Sequence, residues 1–284
     1  MVGIKLSAAN DPGKVARGLS FAEIGGAAPL VAYGLRKLVS GYSGNCIEVR
    51  RDSDDTTDDI GFDARGNLDI SALETFVGSG NTGTIKTWYD QSGSERDLSQ
   101  SGNLKQPTIV SSGSTLLHNG RPIIKFDGSN DLVKRSISDD AQPHTFFFVR
   151  RYDDIADGEC GLDFSETNSA DPSIGDIIDG TEIKMNFGNA VTLSGGATDD
   201  TMFCTSAIVN GASSKVAVNG TLSATVNLGS NPVELVVLGR REGNVKGSNS
   251  QISIGELIVF SRAFDEHEFI AANQNIKHHF NLGF

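Results

Sequence analysis

From Thr84 to Phe260 the chain is a succession of short β-type runs cut by turn signals. The runs are Thr84–Tyr89, Arg121–Phe126, Thr145–Arg151, Glu182–Phe187, Met202–Val209, Lys215–Val218, Val233–Leu238 and Gln251–Phe260. Asn-Gly pairs stand at 119–120, 210–211 and 219–220, and Asp-Gly at 127–128. The stretch KVAVNGTLSATV from Lys215 predicts a two-residue hairpin, because Asn-Gly tolerates the positive φ at both turn positions. There are 33 glycines in 284 residues, well above the roughly 7% of average usage, which fits many tight turns. Strands of this length and spacing predict a β-sandwich or jelly roll rather than an α/β fold.

The flanks differ. Residues 1–28 are rich in Gly, Ala and small polar residues and read as an N-terminal arm, with the sandwich occupying 29–284. Pro29–Val39 (PLVAYGLRKLV) predicts a short helix, and Cys46–Arg51 alternates as a half-buried strand does. An acidic run follows from Asp52 to Asp59, and Ser71-Ala72-Leu73-Glu74 has the form of a capping box opening a short helix closed by Gly78. Asp265–Phe280 predicts a closing helix, with Asp265 as cap, acids in the first turn and Lys277, His278 and His279 at the negative end of its dipole.

Composition narrows the function. The net charge of −12 argues against nucleic acid, whose phosphates require clustered Lys and Arg, and against an anionic membrane surface. No apolar stretch approaches the roughly 20 residues of a membrane span, and Met1–Leu30 lacks the pattern of a secretory signal. Cys46, Cys160 and Cys204 are odd in number and widely spaced, so three buried thiols are expected rather than a disulfide framework or zinc site. The five histidines have no metal-ligand spacing. Asp52–Asp59 reads as a solvated face and Asp127–Asp131 as an Asx-rich turn, so no metal and no cofactor is expected. Trp88 is expected in the core.

Two sets of residues carry a resemblance. Gly255–Phe260 with Ser261–Phe264, and the stretch FDGSNDLV at Phe126–Val133, resemble strands of concanavalin A-like (laminin G-type) jelly rolls. The front half, AYGLRKLVSGYSGNCIEVRRDSDD followed by TWYDQSGSERDLSQ and QPTIV, is similar to the catalytic domain of fungal α-L-arabinofuranosidase B, family 54 of the glycoside hydrolases. The resemblance implies an all-β concanavalin A-like sandwich with short helices near the front and a C-terminal helix. It also extends to modules in surface proteins of marine bacteriophages.

A retaining glycosidase needs two carboxyl groups about 5–5.5 Å apart. The family's nucleophile lies in a segment Met-x-Asp-x-Glu-Asn-Gly; the matching stretch is Met185–Asn189, which puts Asn186 at the substrate-binding Asp and Gly188 at the nucleophile. The family's general acid follows a Leu-Gly strand end, here Leu238-Gly239, leaving Glu242 beside Arg240 and Arg241, whose charges would depress its pKa. The family's adjacent cysteines at the pocket are reduced to Cys160 followed by Gly161. The resemblance therefore implies the sugar-hydrolase fold without its chemistry. Asp163, Glu166, Asn186, Asn189, Arg240, Arg241 and Glu242 would then line a glycan-binding concave face. The expected setting is a homo-oligomeric virion surface protein made in the host cytoplasm, as a decoration, fibre or tail appendage. Residues 1–28 would attach to capsid or tail proteins, with host polysaccharide a further partner. The alternatives are a lectin-like module outside a virion and an active arabinofuranosidase.

Overall fold

The structure, a computed structural model, describes residues 24, 26–153, 155, 160–165, 173–178, 182–193, 197–240 and 249–283, with backbone alone at 139 and 173–178. Two antiparallel sheets stack face to face. In the first, Ile252–Phe260 pairs with His144–Tyr152, which pairs in turn with Phe203–Val209, Lys215–Val218 and Thr221–Leu222. The other edge of Ile252–Phe260 takes both Val31–Gly34 and Ile124–Lys125. The second sheet runs Thr57–Ile60, Ile47–Arg51, Gly83–Trp88, Leu98–Ser99, Val133–Asp140, Val233–Leu238, Leu162–Asp163, Ser173–Ile178, Glu182–Asn186 and Ala190–Leu193. Thr108–Ser111 pairs with a strand of each sheet and joins them along one edge.

The core between the sheets takes Phe146, Phe148, Tyr152, Leu257 and Val259 from one side and Trp88, Leu98, Val133, Val236 and Leu238 from the other. The first sheet is buried on its other face as well. Phe147, Val149, Cys204, Ile258 and Phe260 lie beneath Phe269, Ala272, Ile276 and Phe280 of the closing helix Glu266–Phe280. Double burial explains why TFFFVRR and ISIGELIVF are continuous apolar runs rather than alternating ones.

The predicted all-β class, the closing helix and the long strands are all present. The closing helix begins at a complete capping box: the Asp265 carboxylate accepts from the Glu268 amide, and Glu268 reaches back to the Asp265 amide. The Asn219-Gly220 hairpin is formed, with φ of 52° and 76°. All three cysteines are free and buried, and Trp88 is fully buried.

Three expectations are corrected. Pro29–Val39 is not a helix: Val31–Gly34 is a strand paired with Glu256–Val259. Tyr33 belongs to the inter-sheet core and Ala32 to the layer beneath the closing helix, so both faces of the strand are buried and its apolar run imitates a helical stripe. The helix near Ser71 spans Ile70–Val77 and is capped two residues earlier, by the Asp69 carboxylate accepting from the Ala72 amide. His279 does not serve as a surface cation: burial first, then the charges of Arg36 and Arg121, push its pKa down to about 2. The expected arm, 1–28, lies almost wholly outside the described residues.

Candidate functional site

Directly opposed residues of an antiparallel pair share one face of the sheet. Following register across the second sheet gives a transverse row on its outer face: Glu48, Thr87, Ser99, Lys134, Val237, Asp163, the position of Ser173, and Asn186. One residue along each strand, Trp88, Leu98, Val133, Leu238, Leu162 and Met185 face the core. A row of polar residues, interrupted at buried Val237, on one face of a sheet whose other face is apolar is the feature around which a site can be built.

Of the predicted site residues, the structure brings Asp163 and Asn186 onto this row, two strands apart with Ser173 on the strand between them. They are not open to solvent as a concave lining would be: Asp163 is 1% exposed and Asn186 5%. Both hold local backbone. Asp163 Oδ1 accepts from the Ser165 amide at 3.1 Å, and Asn186 Oδ1 from the Gly188 amide at 3.0 Å. Asn189 is exposed in the turn beyond Asn186, its amide donating to Leu228 O at 2.9 Å. Arg240 is half-buried and bridged through its backbone to Asn249. Glu166, Arg241 and Glu242 lie outside the described residues.

Gly188 sits in the turn after Glu182–Asn186 with φ of 107°, and a Cβ there would lie 3.2 Å from Asn231 Oδ1. Its neighbour across the turn, Gly229, approaches so closely that a Cβ would meet Phe187 O at 2.3 Å. Only glycine relieves both constraints, so the turn itself selects against a side chain at 188. At Gly161 a Cβ would fall 2.5 Å from Ile252 Cδ1 in the buried core, so a side chain there requires the Ile252 tip to shift.

The YDQSG motif proves to be architectural. Asp90 and Gln91 are buried. Asp90 Oδ1 accepts from the amides of Ala32 and Ser92, both at 2.9 Å. Gln91 Oε1 accepts from the Leu38 amide at 2.7 Å, and its Nε2 donates to Gly34 O and Arg36 O at 3.0 Å each. The motif fastens the Val31–Gly34 strand and the residues after it to the sandwich. The Asp52–Asp59 run is likewise organised by the protein itself, with Asp54 paired to Arg51 at 2.7 Å and Asp55 to Arg50 at 2.8 Å. The Asp127 carboxylate accepts from the amides of Ser129, Asn130 and Asp131 at 2.8, 3.2 and 3.4 Å, as the Asx-turn reading expected. Asp131 Oδ2 accepts from the Asp127 amide at 3.0 Å, and burial, then the Asp127 charge, raise the Asp131 pKa to about 7.

Sequence reasoning missed the open part of the polar row. Beside Ser99 and Lys134 a cavity of about 560 Å³ is lined by Ser99, Ser101, Leu132, Lys134, Arg135 and Ser136, with Gln100 at its turn. No motif marks these residues; the available signal was the hydrophilic run Lys134-Arg135-Ser136, exposed throughout, in the strand Val133–Asp140, VKRSISDD.

The chain is thus a two-sheet β-sandwich with a helix packed on the outer face of its first sheet. The family described as "Alpha-L-arabinofuranosidase B, catalytic" matches residues 23–119, about a third of the chain. Two solved structures are similar over most of it. One is an arabinofuranosidase complexed with arabinofuranosyl-α-1,2-xylobiose, with a TM-score of 0.61 and 18% identity over 90% of this chain and 64% of that one. The other is a GH54 α-L-arabinofuranosidase soaked with a cyclic sulfate inhibitor, with a TM-score of 0.64, 17% identity and the same coverage. A Trypanosoma rangeli sialidase in complex with sialic acid aligns with a TM-score of 0.51 and 11% identity, over 68% of this chain and 31% of that one. This chain therefore has the arabinofuranosidase catalytic fold and spans just under two thirds of those arabinofuranosidases' length. No curated protein matches it.

Proposed function

We propose that this chain is a carbohydrate-binding module of the arabinofuranosidase fold that does not hydrolyse its ligand. The observation that carries the reading is the end of the Glu182–Asn186 strand. Where the family resemblance calls for a nucleophilic Glu, a glycine stands in a turn with φ of 107°. The side chain two residues before it is an amide whose oxygen is engaged by the Gly188 amide. A retaining mechanism without a nucleophile has no covalent route. The accessible part of the outer-face row, Glu48, Thr87, Ser99 and Lys134, supplies hydroxyl and charged groups of the kind that recognise sugar hydroxyls. The setting we propose is the surface of a bacteriophage, with residues 1–28 attaching a homo-oligomer to capsid or tail proteins and the sandwich facing a host polysaccharide. That setting is supported by the sequence resemblance to phage surface modules.

The test is release of 4-nitrophenol from 4-nitrophenyl α-L-arabinofuranoside by the full chain. No release above the buffer rate is expected. Turnover that Glu242→Gln abolishes would overturn the proposal.

A further inference from the structure

We infer that the Nε/Nη2 edge of Arg150, between the two sheets, holds a small monovalent anion. Arg150 lies on the strand His144–Tyr152 and is 0% exposed. It alternates in phase with Phe146, Phe148 and Tyr152, so it points into the inter-sheet core. Its Nη1 donates to Thr205 Oγ1 at 2.8 Å. Its Nε and Nη2 are buried and have no hydrogen-bond partner. These two nitrogens form one side of the guanidinium fork, a side that can present two parallel N–H groups to a single acceptor group.

The protein uses that same side elsewhere. Arg36 Nε and Nη2 donate to Glu256 Oε2 and Oε1 at 2.9 and 3.0 Å, with Glu256 fully buried. Arg150 has no such carboxylate among the described residues. Glu256 is the one acid of the strand Ile252–Phe260, and it opposes Val149, on the other face of the sheet. His144–Tyr152 and Phe203–Val209 carry no Asp or Glu, and the second sheet turns Trp88, Leu98, Val133, Val236 and Leu238 toward this core. The guanidinium is a permanent cation, and buried charges are ordinarily paired because desolvation is costly. The Arg150 guanidinium lies over the rings of Phe148 and Phe203, 4.5 and 4.6 Å from their centroids, with Tyr152 at 5.7 Å. Ring faces attract a cation, but here they leave both N–H groups without an acceptor. A water would accept from both, yet it brings two hydrogens that need acceptors of their own, and the surroundings are mainly rings and aliphatic side chains. An anion accepts from both, brings no hydrogens and neutralises the charge. The inference is independent of the carbohydrate-binding reading.

Bromide is the probe. Thermal melts of the full chain in sodium bromide and in sodium gluconate compare a small anion with one too large for a packed core, and equal ionic strength cancels screening. A ligand bound only by the folded state raises the melting temperature with its concentration, by about 2 °C per tenfold increase above its dissociation constant for a chain of this length. That rise is expected in bromide and is expected to vanish in Arg150→Met, which keeps a long side chain without the charge. A crystal of the parent protein grown in bromide is expected to show an anomalous difference peak within hydrogen-bond reach of Arg150 Nε and Nη2, a result that does not depend on the variant folding. No rise in bromide, a rise of equal size in parent and variant, or no anomalous peak at Arg150 overturns the anion site.

Discussion

In the proposed reading, Gly188 is the residue that separates a binding module from a hydrolase. Its φ of 107° and the 3.2 Å approach of a Cβ to Asn231 make the position hostile to any side chain. Gly188→Glu is therefore expected to lower stability by about 1–3 kcal/mol, the usual cost of a side chain held at such a φ, and to yield no turnover. A denaturant melt and the arabinofuranoside assay check the two halves. Asp131 gives a second prediction at this scale. Its folded pKa of about 7 stands above the ordinary value, near 3.9 in an unfolded chain. Between about pH 4 and pH 7 the folded state binds the proton and the unfolded state does not, so stability falls as pH rises through that window. Asp131→Asn keeps an oxygen for the Asp127 amide and removes the titration. The variant is expected to lose this slope and to melt at a higher temperature than the parent at pH 8, as thermal melts across the pH range would show.

At the scale of elements, the Val31–Gly34 strand depends on a motif distant in sequence. Gln91 satisfies the Leu38 amide and the Arg36 carbonyl and shares the Gly34 carbonyl with the Cys46 thiol. Gln91→Ala strands the first two, and with about 1–3 kcal/mol for each buried group left unpaired a loss of about 2 kcal/mol is expected, measured by urea unfolding. Asp265→Ala removes the capping box of the closing helix and is expected to cost about 1 kcal/mol. The elements the sequence revealed are those whose environment leaves a mark on local pattern. The Asn219-Gly220 hairpin was legible from turn chemistry and the closing helix from its cap and its charge distribution. The long strands were legible from their apolar content. Val31–Gly34 was not, because burial on both faces erases the alternation that separates a strand from a helix. Asp163 and Asn186 could be named from resemblance, but their common row depends on a third strand lying between them. Their burial also could not be foreseen from residue type, since polar residues on a predicted face are ordinarily exposed.

At the scale of the whole molecule, one sandwich carries two unlike outer faces. The closing helix covers the first sheet, while the second keeps its polar row, open at Ser99 and Lys134 and closed over Val237, Asp163 and Asn186. The cavity escaped sequence reading because its lining comes from two stretches some thirty residues apart that only the sheet brings together. Light scattering on the full chain and on a version starting at Pro29 examines the proposed arm. An assembly of several chains that falls to monomer without residues 1–28 is expected, and a monomer in both forms would contradict the attachment role. The central claim, a sugar-hydrolase fold without a nucleophile, is tested most directly by intact-mass measurement after incubation with an electrophilic arabinofuranose reagent that labels the nucleophile of retaining enzymes. The account predicts an unchanged mass. A single covalent adduct mapping to one carboxylate would contradict it.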